Sequence, residues 1–308
     1  MIGLLRSRML WTAMAFTAAA VTLPWWLSGY ILGVLTLAYY FGVFAMSWDL
    51  LFGFAGEVNF GPTFLIGLGA YSAAIIDAHW GPPIAVCVAA GGLVALIGGL
   101  LLAVPALRLR GPYFGLVTLV AVLLLQNAIV IFAGVTGGEI GMMVPDVISV
   151  DAGHNYWIAL AFLLICAVIL FGLSRSAVGL ILQASGQDTV GAQALGFNVT
   201  KHKLAAFCIS AVFSGVAGAM LVFYQGTASV STVVDLGVGV QIIIAAVLGG
   251  RRTILGAVLG SIFLIVAGEF LRPLGQINTF VVAAVALAVI LFFPDGLLGN
   301  LLRVREQE

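Results

Sequence analysis

The sequence predicts an all-α, polytopic membrane protein that crosses the bilayer about ten times. Three observations carry that prediction. Of 308 residues, 63% are hydrophobic and only 8% are charged, with a mean hydropathy of +1.22. A soluble domain of this length needs far more charge to cover its surface. Apolar runs of about 17–25 residues, each suited to a bilayer-crossing helix, recur along the chain. They are continuous blocks, not the alternating ~10-residue segments of a membrane barrel. The third observation is how the basic residues sort once the spans are placed.

The expected spans run 10–27, 31–49, 62–77, 83–104, 112–133, 155–173, 204–223, 237–249, 254–271 and 277–293. The first follows Arg6 and Arg8 and passes Ala18–Ala20, which resembles a secretory signal peptide. Its apolar stretch continues to Trp26, too long for a signal core. Trp25 and Trp26 suit a membrane interface, so an uncleaved first span is expected. With the N-terminus inside, the cytoplasmic basic residues are Arg6, Arg8, Arg108, Arg110, Arg175, Lys201, Lys203, Arg251, Arg252, Arg303 and Arg305. Only Arg272 of the twelve falls outside. That sorting obeys the positive-inside rule, and both termini are expected in the cytoplasm.

Two connections are long: an acidic outer one over 134–154 with Glu139, Asp146 and Asp151, and an inner one over 174–203. The other links are short, so the chain reads as one transmembrane domain over 1–308. Small residues at four-residue spacing (Gly111/Gly115, Ser214/Gly218, Gly256/Gly260) would let helices approach closely. Cys87, Cys166 and Cys208 lie in apolar runs without paired spacing and read as free core thiols. There is no GxxxxGK[ST] phosphate loop, no HExxH and no CxxC, and zero net charge offers nothing to nucleic acid. His79, His154 and His202 fall at or beyond span ends. No metal site and no enzyme is expected.

What remains is polar groups in an apolar bundle: Glu57, Asn59, Gln126, Asn127, Gln241 and Glu269. Such groups are costly in hydrocarbon and tend to face the bundle interior. Glu269 lies three residues before Arg272, within pairing reach on a helix. Gln126 and Asn127 are adjacent and cannot both face one partner, so at least one is expected to bond another helix.

Glu57 and Asn59 belong to the stretch GFAGEVNFGPTFLIGLGAY, residues 53–71. This inner link carries no Lys or Arg. Gly53, Gly56 and Gly61 loosen its backbone, and Pro62 suits the first turn of a helix. Residues 62–77 rise about 24 Å as a helix, less than a ~30 Å hydrocarbon core. The third span is therefore expected to start inside the membrane, as a broken helix beside a cavity or as a tight glycine-rich crossing.

The same stretch resembles the glycine-rich signature of the branched-chain amino acid ABC-importer permeases, specifically their M-type subunit. Gly53, Gly56, Gly61, Phe64, Gly67, Gly69, Ala70 and Tyr71 match its pattern. Four further stretches follow in the family's order: LRLRGPYFGLVTL (107–119), TGGEIGM (136–142), ALGFNVTKHKLAAFCISAVFSGVAGAM (194–220) and FFPDGLLG (292–299). The resemblance implies a bundle similar to type II importer permeases. It implies a homologous second permease, two ATP-binding subunits, and a periplasmic solute-binding protein. ATP would be bound by those partners, leaving no cofactor in this chain, and the bacterial inner membrane is the implied location. A coupling helix that docks on the ATPase maps to about 187–197, with Gln187, Asp188, Gln193, Leu195, Gly196 and Phe197. Glu139, Asp146 and Asp151 are expected to meet basic residues of the binding protein. Gly53, Gly56, Glu57, Asn59, Gly61 and Gln241 are the candidates for the translocation path.

The chain departs from the pattern in places. Glu57 stands where Gln is common and Asn59 where Ser is common. Asp188 is the only charge in the coupling run, and Arg251-Arg252 after Gly249-Gly250 resembles urea-type relatives. A urea or amide permease, and an ion-coupled transporter or channel using Glu57 and Glu269, stand as alternatives.

Overall fold

A computed structural model describes residues 17–109, 112–275, 280, 281, 284 and 287. Ten helices organise it: α1 Gly29–Asp49, α2 Pro62–Trp80, α3 Ile84–Ala106, α4 Tyr113–Ile131, α5 Ala152–Ser174, α6 Ala177–Gln187, α7 Thr189–Ala194, α8 Val199–Gln225, α9 Leu236–Gly249 and α10 Ile254–Leu271. Local chemistry sets several of these boundaries. Pro62 occupies the first turn of α2, and Gly81 ends that helix in the left-handed region at φ 56°. Asp151, Ser176, Asp188, Asn198 and Asp235 each accept a backbone N–H at the start of α5, α6, α7, α8 and α9. Gly226 closes α8 at φ 70°.

α8 packs along α2 and α3, which also pack on each other. α1 packs against α5 and α10, and α9 joins this second group through α10 and α1. The two groups meet where α8 crosses α1, and Ser47 and Ser214 share a 2.8 Å hydrogen bond there. α4 sits at the margin against α2 and α3. Backbones touch where small residues face each other. A Cβ on Gly218 would overlap the Ile66 carbonyl, and one on Gly260 the Ala245 carbonyl. Those are two of the small-residue pairs expected from sequence; Gly111 lies outside the described residues.

Among the described residues, seven helical segments are long and apolar enough to cross a membrane: 29–54, 84–106, 113–131, 152–174, 199–225, 230–249 and 254–271. The chain is a helical, multi-pass membrane protein. α2 is not in that set. Its Asp77 and His79 lower its hydropathy, and most of it is buried in protein instead. Of the first expected span, residues 17–22 are helical and a 3₁₀ turn follows over Leu23–Trp25. The last expected span, 277–293, falls almost wholly outside the described residues, as does the ending at 292–299.

The end of the bundle that holds α6 and α7 also holds the α1–α2 link. At the opposite end, residues 141–149 form a strap. Met142 and Met143 pair antiparallel with Ala228 and Thr227, making a two-residue β1–β2 ladder (β1 Met142–Met143, β2 Thr227–Ala228). The sequence reading contained no strand.

Candidate functional site: the α1–α2 link and the helices that hold it

The link opens by widening. After Asp49 the helix makes a π turn over Leu50–Phe54, a form that tends to mark functional positions. Glu57 N–H then donates to the Leu51 carbonyl at 3.2 Å. Gly56 takes φ 73°, a left-handed conformation that a residue with a Cβ adopts only under strain. A non-helical segment with a bend at Phe60 follows and ends at Pro62.

Several groups hold this irregular backbone in place. Asn59 Oδ1 accepts from Gly61 N–H at 2.9 Å, and the Asn59 carbonyl accepts from Trp48 Nε1 at 2.7 Å. Phe60 N–H donates to Thr118 Oγ1 at 3.0 Å. Gly61 presses so closely on α4 that a Cβ would overlap the Thr118 carbonyl. Gly53 lies against the Asp49 carboxylate, and its carbonyl accepts from Arg252 Nε at 3.0 Å. Asp49 Oδ1 accepts from Arg252 N–H at 3.1 Å, while Arg252 itself sits at φ 63°. The Arg251 guanidinium stacks over the Phe52 ring, 4.5 Å from its centroid.

Glu57 is bound to Lys203 of α8, with Oε1 and Nζ 2.6 Å apart. The side chains are only 20% and 13% exposed, so water screens the pair weakly. Gly56 lies 3.0 Å, measured from an ideal Cβ, from Gly186 of α6.

The structure therefore brings Gly53, Gly56, Glu57, Asn59 and Gly61 into one packed element. Gln241 makes none of these contacts and lies on the exposed face of α9 beside Val240. The sequence shows the absence of basic residues in this link but not what replaces them. Lys203 lies 146 residues from Glu57, and Arg252 lies 203 residues from Asp49. Asp49 is legible from sequence as the second acid of this link beside Glu57, whereas nothing in the sequence ties Thr118, Gly186, Lys203 or Arg252 to it. Among them, Arg252 carried a signal, a basic residue after a glycine pair.

The expected coupling segment is resolved into two helices. α7 covers only Thr189–Ala194, and α6 precedes it. Asp188 faces no partner charge among the described residues. It caps α7, accepting from Val190 and Gly191 N–H at 3.0 and 2.9 Å. Gln187, Gln193, Leu195, Gly196 and Phe197 are exposed, and Gly196 turns the chain at φ 89°. Val190 and Leu195 expose 76% and 78% of their surface. This tip is apolar as well as polar.

At the strap end, Glu139, Asp146 and Asp151 are all exposed. Asp151 also caps α5, accepting from His154 N–H at 2.8 Å, and Asp146 N–H donates to Asp77 Oδ2 at 3.2 Å. Glu269 pairs with Arg272 at 3.0 Å and accepts from the Tyr30 hydroxyl. Gln126 Nε2 donates to the Val234 carbonyl at 3.1 Å, whereas Asn127 bonds its own helix at Leu123. The expected Glu269–Arg272 pair and the expected bond from the Gln126–Asn127 dipeptide to another element are both present.

A bundle of apolar helices around a close-packed, discontinuous helix defines the class as an α-helical multi-pass membrane protein. Residues 30–294 match the family described as the permease component of branched-chain amino acid transport systems, and the chain belongs to that family. It is a transport family, not an enzyme family. The chain is 25% identical to the high-affinity branched-chain amino acid transport system permease protein LivM of Salmonella typhimurium, over 92% of this chain and 74% of that protein. LivM of Escherichia coli K12 is also 25% identical, over 92% and 73%. LivH of Salmonella typhimurium is 25% identical over 86% of this chain and 93% of that protein. No solved structure matches the chain.

Proposed function

We propose that this chain is the M-type permease subunit of an ATP-driven importer for branched-chain amino acids or related small zwitterions and amides. In this reading it crosses the bacterial inner membrane about ten times with both termini in the cytoplasm. It forms half of the translocation path beside a homologous permease. Two ATP-binding subunits hold the nucleotide, and a periplasmic protein delivers the substrate. The single observation that carries the reading is α7: a capped six-residue helix with Val190 exposed within it and Leu195 exposed just after it. It stands within the run that the resemblance assigns to ATPase docking.

An ion-coupled transporter built on Glu57 and Glu269 gains no support. Both carboxylates already bind a cationic side chain, Lys203 and Arg272. A proton or metal ion would first have to displace it.

The test is reconstitution of the chain in liposomes with its co-encoded second permease, ATPases and binding protein. Labelled leucine should accumulate only with ATP and the binding protein. Uptake by the chain alone, driven by an ion gradient, would overturn the reading. Direct binding measurements on the binding protein then separate branched-chain amino acids from urea and amides.

A further inference from the structure

We infer that the α1–α2 link is the element through which α7 acts on the bundle, gripped at Gly186 and at the Glu57–Lys203 ion pair. The inference rests on the reading of α7 as the ATPase-docking helix. It adds the positioning residues that would carry its motion inward.

The geometry of the flanks makes the case. α7 joins α6 through Asp188 alone and joins α8 through residues 195–198. Both flanking helices touch the link. On the α6 side the contact is backbone to backbone: a Cβ on Gly186 would stand 2.6 Å from the Phe54 carbonyl oxygen and 3.1 Å from the Ala55 carbonyl carbon. On the α8 side it is ionic, through Lys203 in the second turn of that helix. A displacement of α7 therefore reaches the same short segment from two directions.

The start of the link is held elsewhere. Asp49 and Gly53 bond Arg252, which lies in the turn between α9 and α10. The far end runs directly into Pro62 and the buried length of α2. The link is thus pinned to one helix group at its origin and gripped by the α7 flanks beyond it. Its π turn and its left-handed Gly56 supply the backbone that can change shape between those points.

The test uses the complete complex in proteoliposomes and measures ATP hydrolysis and substrate uptake together. Glu57→Gln and Lys203→Met should each lower transport per ATP by about tenfold, a modest allosteric coupling loss. Hydrolysis should continue. The double variant Glu57→Lys with Lys203→Glu should recover most of the coupling, because it restores the pair. Gly186→Ala should uncouple without any change of charge.

Single variants with unchanged transport per ATP would overturn the inference. So would a charge-swapped complex that assembles normally yet stays uncoupled. If a single variant fails to assemble, the charge-swapped complex decides alone: coupled supports the inference, uncoupled ends it. A wild-type complex that hydrolyses ATP without uptake overturns the functional reading, and this inference with it. A working wild type beside unaffected variants overturns only the inference.

Discussion

Two irregular segments lie at opposite ends of the bundle, and they are held in different ways. The α1–α2 link depends on individual side chains and on glycines: Asn59 turns it, Glu57 and Asp49 tie it, and Gly61 lets it touch α4. The strap over 141–149 depends mainly on its backbone. Val144 and Ile148 N–H donate to the Gly226 and Phe223 carbonyls, and β1 pairs with β2. Val144 turns inward to the core, while Met143 within the strap and Ile140 and Val150 at its two ends are 81%, 95% and 95% exposed. A segment fixed through its backbone leaves its surface free to vary toward a partner. A segment fixed through particular side chains tolerates little.

The largest expected effect tests that contrast directly. Gly61→Ala should destabilise the protein by about 3 kcal/mol or prevent assembly, because the new methyl meets a backbone carbonyl that cannot rotate away. The matching change in the strap, Met143→Ala at an exposed site, should shift the unfolding midpoint in detergent hardly at all. Equal shifts would remove the distinction.

Two side chains also anchor the strap, Asn155 at the Ser149 carbonyl and Asp77 at the Asp146 N–H, and the second ranks next. Asp77 is 2% exposed and accepts the Asp146 N–H. Asp77→Ala should cost about 1–2 kcal/mol locally by leaving that N–H without its partner. Hydrogen exchange at 144–148 should rise. Asp77→Asn keeps an acceptor oxygen and should stay close to wild type; if Asn exchanged as fast as Ala, the bond would not be what holds the strap.

The same contrast explains what the sequence revealed. Spans showed clearly because each is a continuous apolar run that needs no distant partner, and eight expected ones, from 31–49 to 254–271, coincide with helices. α2 was also legible, from Pro62 and the glycines before it. The link's partners were not legible. Pairing Glu57 with Lys203 requires knowing that α8 returns beside α2, and nothing local to either residue encodes that. The strap's pairing with Thr227 and Ala228 was hidden for the same reason, in segments too short to show strand alternation. Asp188 was visible as the lone charge of its run, but its local role is a cap.

That role sets the third expectation. Asp188→Ala should remove the α7 cap at a cost of about 1 kcal/mol, whereas Asp188→Asn and Asp188→Ser should retain most of it. If α7 couples the ATPase to transport, uptake should follow the capping order and substrate preference should stay fixed. An Asn variant as impaired as the Ala variant would mean that the charge, and not the cap, does the work.

The smallest effect belongs to the exposed acids of the strap end. Glu139, Asp146 and Asp151 are solvated, so reversing one charge should leave stability almost untouched. Asp151 needs separate treatment because it also caps α5, so Glu139→Lys and Asp146→Lys are the cleaner changes. If the strap meets basic residues on a binding protein, each should slow association a few-fold at low salt, and the difference should fade as ionic strength rises. The effect should appear in the association rate far more than in the dissociation rate, since solvated charges steer encounter without anchoring the complex. Binding rates that ignore both substitutions at low salt would place the docking surface elsewhere, most directly on the exposed apolar residues Ile140, Met143 and Val150 that share this end.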